Sequence, residues 1–455
     1  MHDSLQSVEA SPPENQLRQS TFLGPGSLTR LFDLFRFWNN PFDMLLNYAR
    51  SYGDVVSLDR NVLFLNHPDL VRDMFTTNAS KHLRGPGLES FKRVFGDGLV
   101  SSEDPRHVKQ RHLVQPAFLR DRIADYGRFM VHYASRMCGE WEEGKTIDLH
   151  KEMTRVTLAI ICKTLFDADI LGEDSDLGAS VTALMEAFFH PVPFGSYFEK
   201  LPLAFARRLK DSLAEFDRVI YRKIRARRVD ARESGDLLSM LLQVSSTEGS
   251  DGLDQEIRDH CATLIAAGHE TTASAMTFAL YLLAKCPDVA NRLYAEVKGV
   301  VGDSSPDPEN FPNLVYTRRV FAETMRLYPP ICAVARTIKE EYVLKGCLLS
   351  AGTVVQACQY TMHRDPRFFP DPQRFDPERF TPKAQASRPK YSYFPFGGGA
   401  RYCIGENFAW MEGVLLLATI FQRWRMELVT SSAIELQPSI SLRPKKPVLV
   451  TLFRR

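Results

Sequence analysis

The apolar residues of this chain recur mostly at helical spacing. From residue 105 to residue 321 nearly every segment repeats its apolar positions every three to four residues, and strand-like alternation is rare. The pattern predicts helices at residues 41–53, 69–76, 105–118, 121–143, 149–165, 205–228, 235–244 and 254–284, at one starting from Pro287, and at 406–425. The sequence therefore favours a mainly α fold.

Short runs rich in Val, Ile and Leu predict a small β region beside the helices. They lie at residues 55–58 and 61–66, which form a predicted hairpin, and at 334–338, 353–356, 426–429 and 448–453. Residues 80–103 show no clear period and predict a loop, and residues 364–395 predict irregular but packed structure. The proline-free run at 254–284 reaches roughly 45 Å as a helix, enough to cross a domain.

Composition limits the possible functions. The chain has 455 residues, of which 44% are hydrophobic and 25% charged, and its net charge is +2. A near-neutral chain is not expected to bind nucleic acid through phosphate contacts. The eight cysteines include no Cys-x-x-Cys pair, so zinc and dithiol sites have no support.

The sequence predicts one large domain at residues 21–455, preceded by a polar, disordered lead at residues 1–20. No repeat or linker interrupts the domain. The lead has no apolar core of a signal peptide, and no run of 18 predominantly apolar residues follows. We therefore expect a cytoplasmic protein without a membrane anchor, in which the cysteines are reduced.

A glycine-rich loop with one cysteine is the strongest chemical signal. Residues 396–405 read Phe-Gly-Gly-Gly-Ala-Arg-Tyr-Cys-Ile-Gly and precede a predicted helix. Cys403 would face backbone N–H groups and the positive end of the helix dipole, and both favour the thiolate that binds metals. The glycines allow close approach to a flat partner, and Arg401 adds positive charge. The alternative is a buried structural cysteine.

This loop resembles the haem-thiolate loop of the cytochrome P450 family, whose pattern is Phe-x-x-Gly-x-x-x-Cys-x-Gly. The matching residues are Phe396, Gly399, Cys403 and Gly405. The resemblance implies the cytochrome P450 fold of the soluble bacterial type. It also implies that Cys403 ligates the iron of haem b, which would lie between the long helix at 254–284 and the helix after the loop.

The long helix carries a second motif, Ala-Gly-His-Glu-Thr-Thr, at residues 267–272. Gly268 and the two threonines could bend the helix locally. Alone, the motif is typical of a Glu-Thr pair on a solvated face. The resemblance implies instead that Glu270 and Thr271 deliver protons above the haem, whereas His269 falls on a variable position and receives no role.

Charged residues elsewhere match two further family motifs. Glu323 and Arg326, spaced to meet on a helix, would form with Arg379 a structural triad that holds the cysteine loop. A second set would bind the haem propionates, and His107 and Arg111 of this set share a helix face. Its members are His107, Arg111, Arg336 and Arg401. Each residue taken alone is more often a surface charge.

The family's substrate-contacting segments are almost free of charge in this chain. The residues expected to line the pocket are Phe91, Val94, Phe95, Phe188, Leu264, Ala267, Val334 and Ile440. A charged ligand would lose its hydration there without a partner. The substrate is therefore expected to be an apolar small molecule, such as a terpenoid, a fatty acyl chain or a polyketide-like compound.

The resemblance implies an O₂-dependent monooxygenase that hydroxylates or epoxidises its substrate. No Gly-x-Gly-x-x-Gly follows a strand, so electrons from NAD(P)H would arrive through a separate ferredoxin or flavodoxin with its reductase. One alternative is an O₂-independent haem-thiolate enzyme, a peroxygenase or an isomerase, against which the Glu270–Thr271 pair speaks. Another is a haem sensor or electron carrier.

Overall fold

A computed structural model describes residues 22–26, 29, 41–188, 204–230, 236–248, 253–430, 432–438 and 441–455 of the chain. The predicted lead at residues 1–20 lies outside these ranges, as does Ile440. Within the described ranges no helix combines the length and apolar character that crossing a membrane requires.

Helices dominate the structure, as the apolar spacing predicts. The described residues form α1 Pro41–Tyr52, α2 Pro68–Arg72, α3 Glu89–Phe95, α4 Arg106–Val114, α5 Arg120–Glu140, α6 Leu149–Phe166, α7 Ser175–Phe188, α8 Ala204–Asp230, α9 Leu237–Glu248, α10 Leu253–Lys285, α11 Pro287–Val301, α12 Val315–Leu327, α13 Gln359–Met362, α14 Pro382–Ala386 and α15 Glu406–Arg423. The prediction of a mainly α fold is confirmed.

The strands form small sheets beside the helices. They are β1 Val55–Asp59, β2 Val62–Leu65, β3 His82–Arg84, β4 Thr146–Asp148, β5 Val334–Ile338, β6 Tyr342–Leu344, β7 Cys347–Leu349, β8 Val354–Ala357, β9 Trp424–Leu428, β10 Leu436–Pro438, β11 Leu442–Pro444 and β12 Leu449–Arg454. The largest described sheet has the order β1-β2-β8-β5-β3, in which β1 and β2 form the predicted antiparallel hairpin and β2 pairs with β8 in parallel.

The 33-residue helix α10 is the axis of the hydrophobic core. It packs along α6 and also contacts α8, α9, α12 and α15. Gly268 lies where α10 meets α6, and a Cβ there would come within 2.7 Å of Ile161 Cδ1. The small residue therefore serves close helix packing. The helix α10 is continuous through residues 267–272, and Thr271 and Thr272 donate to the carbonyls of Ala267 and Gly268, as the sequence predicts.

Residues 80–103 differ from the predicted loop. They contain β3, which pairs with β5, and the helix α3. The helix has only seven residues and ends at Gly96, whose φ is +81°. So short an element between glycines shows too few apolar repeats to be recognised in sequence. Its position matters, because its buried residues face the cavity described next.

Candidate active site

One cavity brings together most of the predicted site residues. It has a volume of about 620 Å³ and is lined by α3, α10, the start of β5 and the cysteine loop. The predicted residues on its wall are Phe91, Phe95, His107, Arg111, Phe188, Leu264, Ala267, Glu270, Thr271, Val334, Arg336, Phe396, Arg401, Cys403 and Gly405. Val94 is buried in the core beside the cavity, and Ile440 is outside the described residues.

The cysteine loop takes its shape from glycine. Gly399 has a φ of +67°, and a Cβ on it would lie 1.8 Å from the Phe75 carbonyl oxygen. Any larger residue would therefore displace the loop from the segment that follows α2. The loop closes on itself where the Cys403 N–H donates to the Phe396 carbonyl at 3.1 Å.

Cys403 faces the cavity. All eight cysteines lie in the described part of the chain, and Cys403 is the exposed one among them. Its exposed surface opens onto the cavity, and the surrounding protein still removes enough water from the sulfur to raise the pKa of the thiol to about 11, although the Gly405 N–H at the start of α15 acts to lower this pKa. The N–H at the helix start thus lowers the thiol pKa as expected, but desolvation raises this pKa by more. A bound metal cation would deprotonate this thiol.

A cluster of cationic side chains occupies another part of the cavity wall. Arg336 is joined there by Arg84 from β3, which the sequence analysis missed. Burial, and then repulsion from Arg401, lowers the pKa of Arg84 to about 9 and that of Arg336 to about 10. Among the described residues Arg84 Nε has no hydrogen-bond partner. The cluster therefore lacks negative charge on its cavity side.

The other predicted cations surround this cluster. Arg401 Nη1 donates to the Ser102 carbonyl at 2.6 Å, and Arg401 Nη2 pairs with Glu103 at 3.1 Å. Arg111 Nη1 donates to the Tyr402 carbonyl at 2.9 Å and so anchors the cysteine loop. Burial and the neighbouring arginines lower the pKa of His107 to about 4, so this ring is neutral at physiological pH.

In the motif of α10, the carboxylate of Glu270 and the hydroxyl of Thr271 contact different parts of the protein. Glu270 pairs with Arg443 of β11 and accepts a hydrogen bond from Ser441 Oγ at 3.0 Å. Burial alone would raise the pKa of Glu270, but Arg443 and the nearby histidines lower it below its usual value. Thr271 Oγ1 donates to the Ala267 carbonyl at 2.7 Å. Glu270 and Thr271 both line the cavity, but their side chains form hydrogen bonds with different partners.

The structure assembles the predicted triad beneath the loop. Arg326 donates to both carboxylate oxygens of Glu323, at 2.6 and 2.7 Å, and neither side chain is exposed. Arg379 Nε lies 3.5 Å from Glu323 Oε1. Arg326 also donates to the carbonyl of His363 at 2.8 Å, and His363 Nε2 accepts the Phe394 N–H at 3.0 Å. This chain of contacts links the triad to the start of the cysteine loop.

Comparison with known proteins identifies the family to which this architecture belongs. The cytochrome P450 family model matches residues 24–452. The chain belongs to the cytochrome P450 family. Its similarity to solved P450 structures extends over the whole fold: the cytochrome P450DA haem domain superposes with a TM-score of 0.84 at 25% identity, covering 95% of this chain and 98% of that one. The predictions of the P450 fold and of a P450 enzyme are confirmed.

Three bacterial enzymes are similar to this P450 along nearly their full length. Cyclooctatin synthase of Streptomyces melanosporofaciens is 35% identical, with 97% of each chain covered. Cyclooctat-9-en-7-ol 5-monooxygenase of the same species is 32% identical, with 93% of each covered. Pentalenene oxygenase of Streptomyces avermitilis is 27% identical over 94% of this P450 and 95% of its relative.

The P450 cofactor, a haem bound through thiolate, fits the residues of this cavity. Haem carries two carboxylates, and the cluster of Arg84 and Arg336 has lowered pKa values that an anionic neighbour would raise again. Cys403 supplies a sulfur on the same cavity wall. Charge and donor chemistry thus agree with a group that is anionic at one edge and metal-bearing at its centre.

Three aromatic rings form the apolar end of the P450 cavity. Phe95 lies 4.5 Å from Phe91 and 5.0 Å from Phe188, measured between ring centroids. These rings were predicted from the sequence. Two other features were not: Arg443 as the partner of Glu270, and the buried acid Glu412 of α15. Neither has a local sequence signal, because each depends on which distant segment packs against it.

Proposed function

We propose that this P450 is a monooxygenase that inserts one oxygen atom of O₂ into a polycyclic terpenoid. Cys403 would ligate the iron of haem b, and electrons would come from NAD(P)H through a separate ferredoxin or flavodoxin. The observation that carries the proposal is the placement of Cys403 in one cavity with an anion-seeking arginine cluster and an aromatic wall. When bound, the haem supplies the oxidising chemistry that protein side chains lack.

The residues of the chain would then divide the work. Arg84, Arg336, Arg401 and His107 would hold the propionate edge. The Gly405 N–H, which lowers the pKa of the thiol, would stabilise negative charge on the sulfur. Thr271 and Glu270 would manage protons during O₂ activation, and Arg443, which lowers the pKa of Glu270, would keep this carboxylate ionised.

The substrate class is inferred from the lining and from the relatives. Phe91, Phe95 and Phe188 offer a rigid aromatic wall that suits a bulky apolar ring system. Burying such a ligand contributes roughly 25 cal/mol per Å² of apolar area. Two of the similar enzymes are named for cyclic terpenoids, pentalenene and cyclooctat-9-en-7-ol.

Spectroscopy of the purified holoprotein tests the proposal. The reduced, CO-bound protein should show the red-shifted Soret band of a thiolate-ligated haem, and Cys403→Ala should abolish it. Cys358→Ala is a matched control, because Cys358 is a buried cysteine that lies outside the cavity lining. A panel of cyclic terpenes should shift the ferric spin state, whereas a response only to charged hydrophilic compounds would contradict the substrate assignment.

Turnover separates the monooxygenase from its O₂-independent alternatives. Product formation should require NAD(P)H, a redox partner and O₂. Thr271→Ala should divert electrons into hydrogen peroxide while haem content stays normal. Full turnover with peroxide alone, or unchanged coupling in Thr271→Ala, would favour a peroxygenase.

A further inference from the structure

We propose that Arg258 and Asp259 of α10 are positioning residues that determine substrate specificity, because they hold the aromatic wall of the cavity in place. This inference rests on the proposed function in one respect, that the cavity takes an apolar ligand beside haem. The two residues do not line the cavity themselves. They act through α3, the short helix that carries Phe91 and Phe95.

The helix α3 separates the cavity from solvent. Phe91 and Phe95 lie on its inner face and line the cavity, while Lys92 and Arg93 on its outer face are exposed. A seven-residue helix is too short to be stable alone, so its position depends on tertiary contacts. The contacts at its C-terminal end, which tie it to α10, therefore contribute to where the two rings lie.

Arg258 joins three helices at that end. Its side chain is buried; Nη2 donates to the Val94 carbonyl of α3 at 3.0 Å, and Nε donates to Asp217 of α8 at 2.7 Å. Nη1 lies 3.2 Å from Asp259 Oδ1 on α10 itself. The Val94 carbonyl belongs to the last turn of α3, where helical carbonyls lack intrahelical donors. Arg258 thus satisfies this helix end and ties it to both α8 and α10.

Asp259 completes the attachment from the other side of the turn. Its Oδ2 accepts the Asp97 N–H at 2.9 Å, and its Oδ1 accepts Gln255 Nε2 at 2.8 Å. The carboxylate packs so closely on Gly96 that a Cβ there would lie 2.0 Å from Asp259 Oδ1. The chain leaving α3 is thereby held against α10 by backbone as well as side-chain contacts.

The two attachments have a consequence for ligand binding. Phe95 and Phe91 contact Phe188 at the end of α7, so the wall spans two elements, and Arg258 and Asp259 hold one of them, α3. Without Arg258, the Val94 carbonyl and the carboxylates of Asp217 and Asp259 would lose the donor that they share. The aromatic wall would then be free to move away from the cavity. A ligand large enough to touch the wall would then bind less tightly, whereas a ligand confined to the iron would not.

Two iron-coordinating azoles of different size test this inference on the holoenzyme. Imidazole is small enough to contact little beyond the iron, whereas the phenyl ring of 4-phenylimidazole would reach further into the cavity and toward the wall. Both are titrated by the Soret shift. Arg258→Met should lower the preference for 4-phenylimidazole over imidazole by about fivefold, because an aromatic contact contributes about 1 kcal/mol. Arg258→Lys, which keeps the charge but cannot span all three acceptors, should give a smaller loss in the same direction.

Arg227→Met is the matched control. Arg227 also lies between helices: it donates to the Phe166 carbonyl at 3.2 Å and to Ser239 Oγ at 2.8 Å, without touching α3. It should lower the melting temperature without changing the azole preference. An unchanged preference in both Arg258 variants, or an equal loss in Arg227→Met, would overturn the inference. Failure of the proposed function would look different: the wild type would form no product with NAD(P)H, a redox partner and O₂, while the azole preference of its haem would still test the role of Arg258.

Discussion

Two buried acids on contacting helices have opposite surroundings. Glu270 of α10 pairs with Arg443 and accepts from Ser441, so its pKa is low despite burial. Glu412 of α15 faces Thr272, whose hydroxyl already donates to the Gly268 carbonyl at 3.1 Å. Burial raises the pKa of Glu412 to about 8. At neutral pH the first acid is therefore charged and the second is neutral.

The raised pKa of Glu412 predicts a pH-dependent stability difference. The folded state holds a proton that the unfolded state releases above about 4.5, so this acid costs increasing stability as pH rises from 4.5 to about 8. Glu412→Gln, which cannot ionise, should match the wild type near pH 5 and exceed its melting temperature near pH 8. Parallel melting curves at both pH values would contradict a buried neutral acid.

The Arg443 partner predicts the reverse dependence for Glu270. A depressed pKa stabilises the folded state above the unfolded value of about 4.5 and stops doing so as pH falls through the folded value. Arg443→Gln leaves a buried carboxylate unpaired and should cost about 3–5 kcal/mol at neutral pH. The deficit should shrink on acidification, as urea unfolding would measure. Arg443→Lys should retain most of the stability, and a pH-independent deficit would exclude the ion pair as the cause.

Sequence reasoning at this scale reached residues that belong to local motifs. Cys403 and its glycines could be found because the loop's shape is encoded within ten consecutive residues. Arg84, Glu412 and the Glu270–Arg443 pair could not, since strand pairing and helix contact between distant segments bring them into place.

Close packing between α12 and α15 depends on a glycine. A Cβ on Gly413 of α15 would fall 2.3–2.7 Å from the ring of Phe321 on α12. Gly413→Ala should therefore destabilise the protein by about 1–3 kcal/mol, because the ring must shift in a filled core. Chemical denaturation of the holoprotein measures this difference.

Gly299 of α11 is the control for that substitution. A Cβ there meets nothing within 4 Å, so Gly299→Ala should stabilise the protein by about 0.5–1 kcal/mol through helix propensity. Equal effects at both glycines would show that propensity, not packing, sets the cost at Gly413.

Long elements were predictable from their period, and short ones were not. The prediction at 254–284 matches α10 within a residue at each end. The helix α3 was missed because seven residues give two apolar repeats at most, and because the glycines around it are typical of loops. Its importance follows from tertiary contacts that no periodicity reveals.

The net charge of the chain is only +2, so attraction of a charged partner protein depends on local groups of charge on the surface. Lys109 of α4 is exposed beside the cysteine loop's anchor Arg111, and Val108 next to it is 45% exposed. Arg106 of the same helix pairs with Asp97 at 3.2 Å, so its charge is partly neutralised. Lys109 is therefore the residue of α4 that we expect to matter most for a negatively charged partner.

The rate of electron transfer from an acidic redox partner should depend on Lys109. Lys109→Glu should slow electron transfer from an acidic ferredoxin, with the largest effect at low ionic strength, because charge steering is screened by salt. Lys151→Glu, at an exposed lysine beside β4, should have no such effect. Stopped-flow reduction at several salt concentrations decides the matter, and an equal slowing by both variants would argue against steering at α4.

The arginine cluster in the cavity also affects how the protein is made. Arg84 and Arg336 are held close together by β3 and β5 before any anion arrives, so a newly synthesised chain carries electrostatic repulsion in its centre. A ligand that binds only the folded state raises stability in proportion to the logarithm of its concentration. Haem supply in the host should therefore raise the yield of intact protein, and iron-starved cultures should degrade it faster.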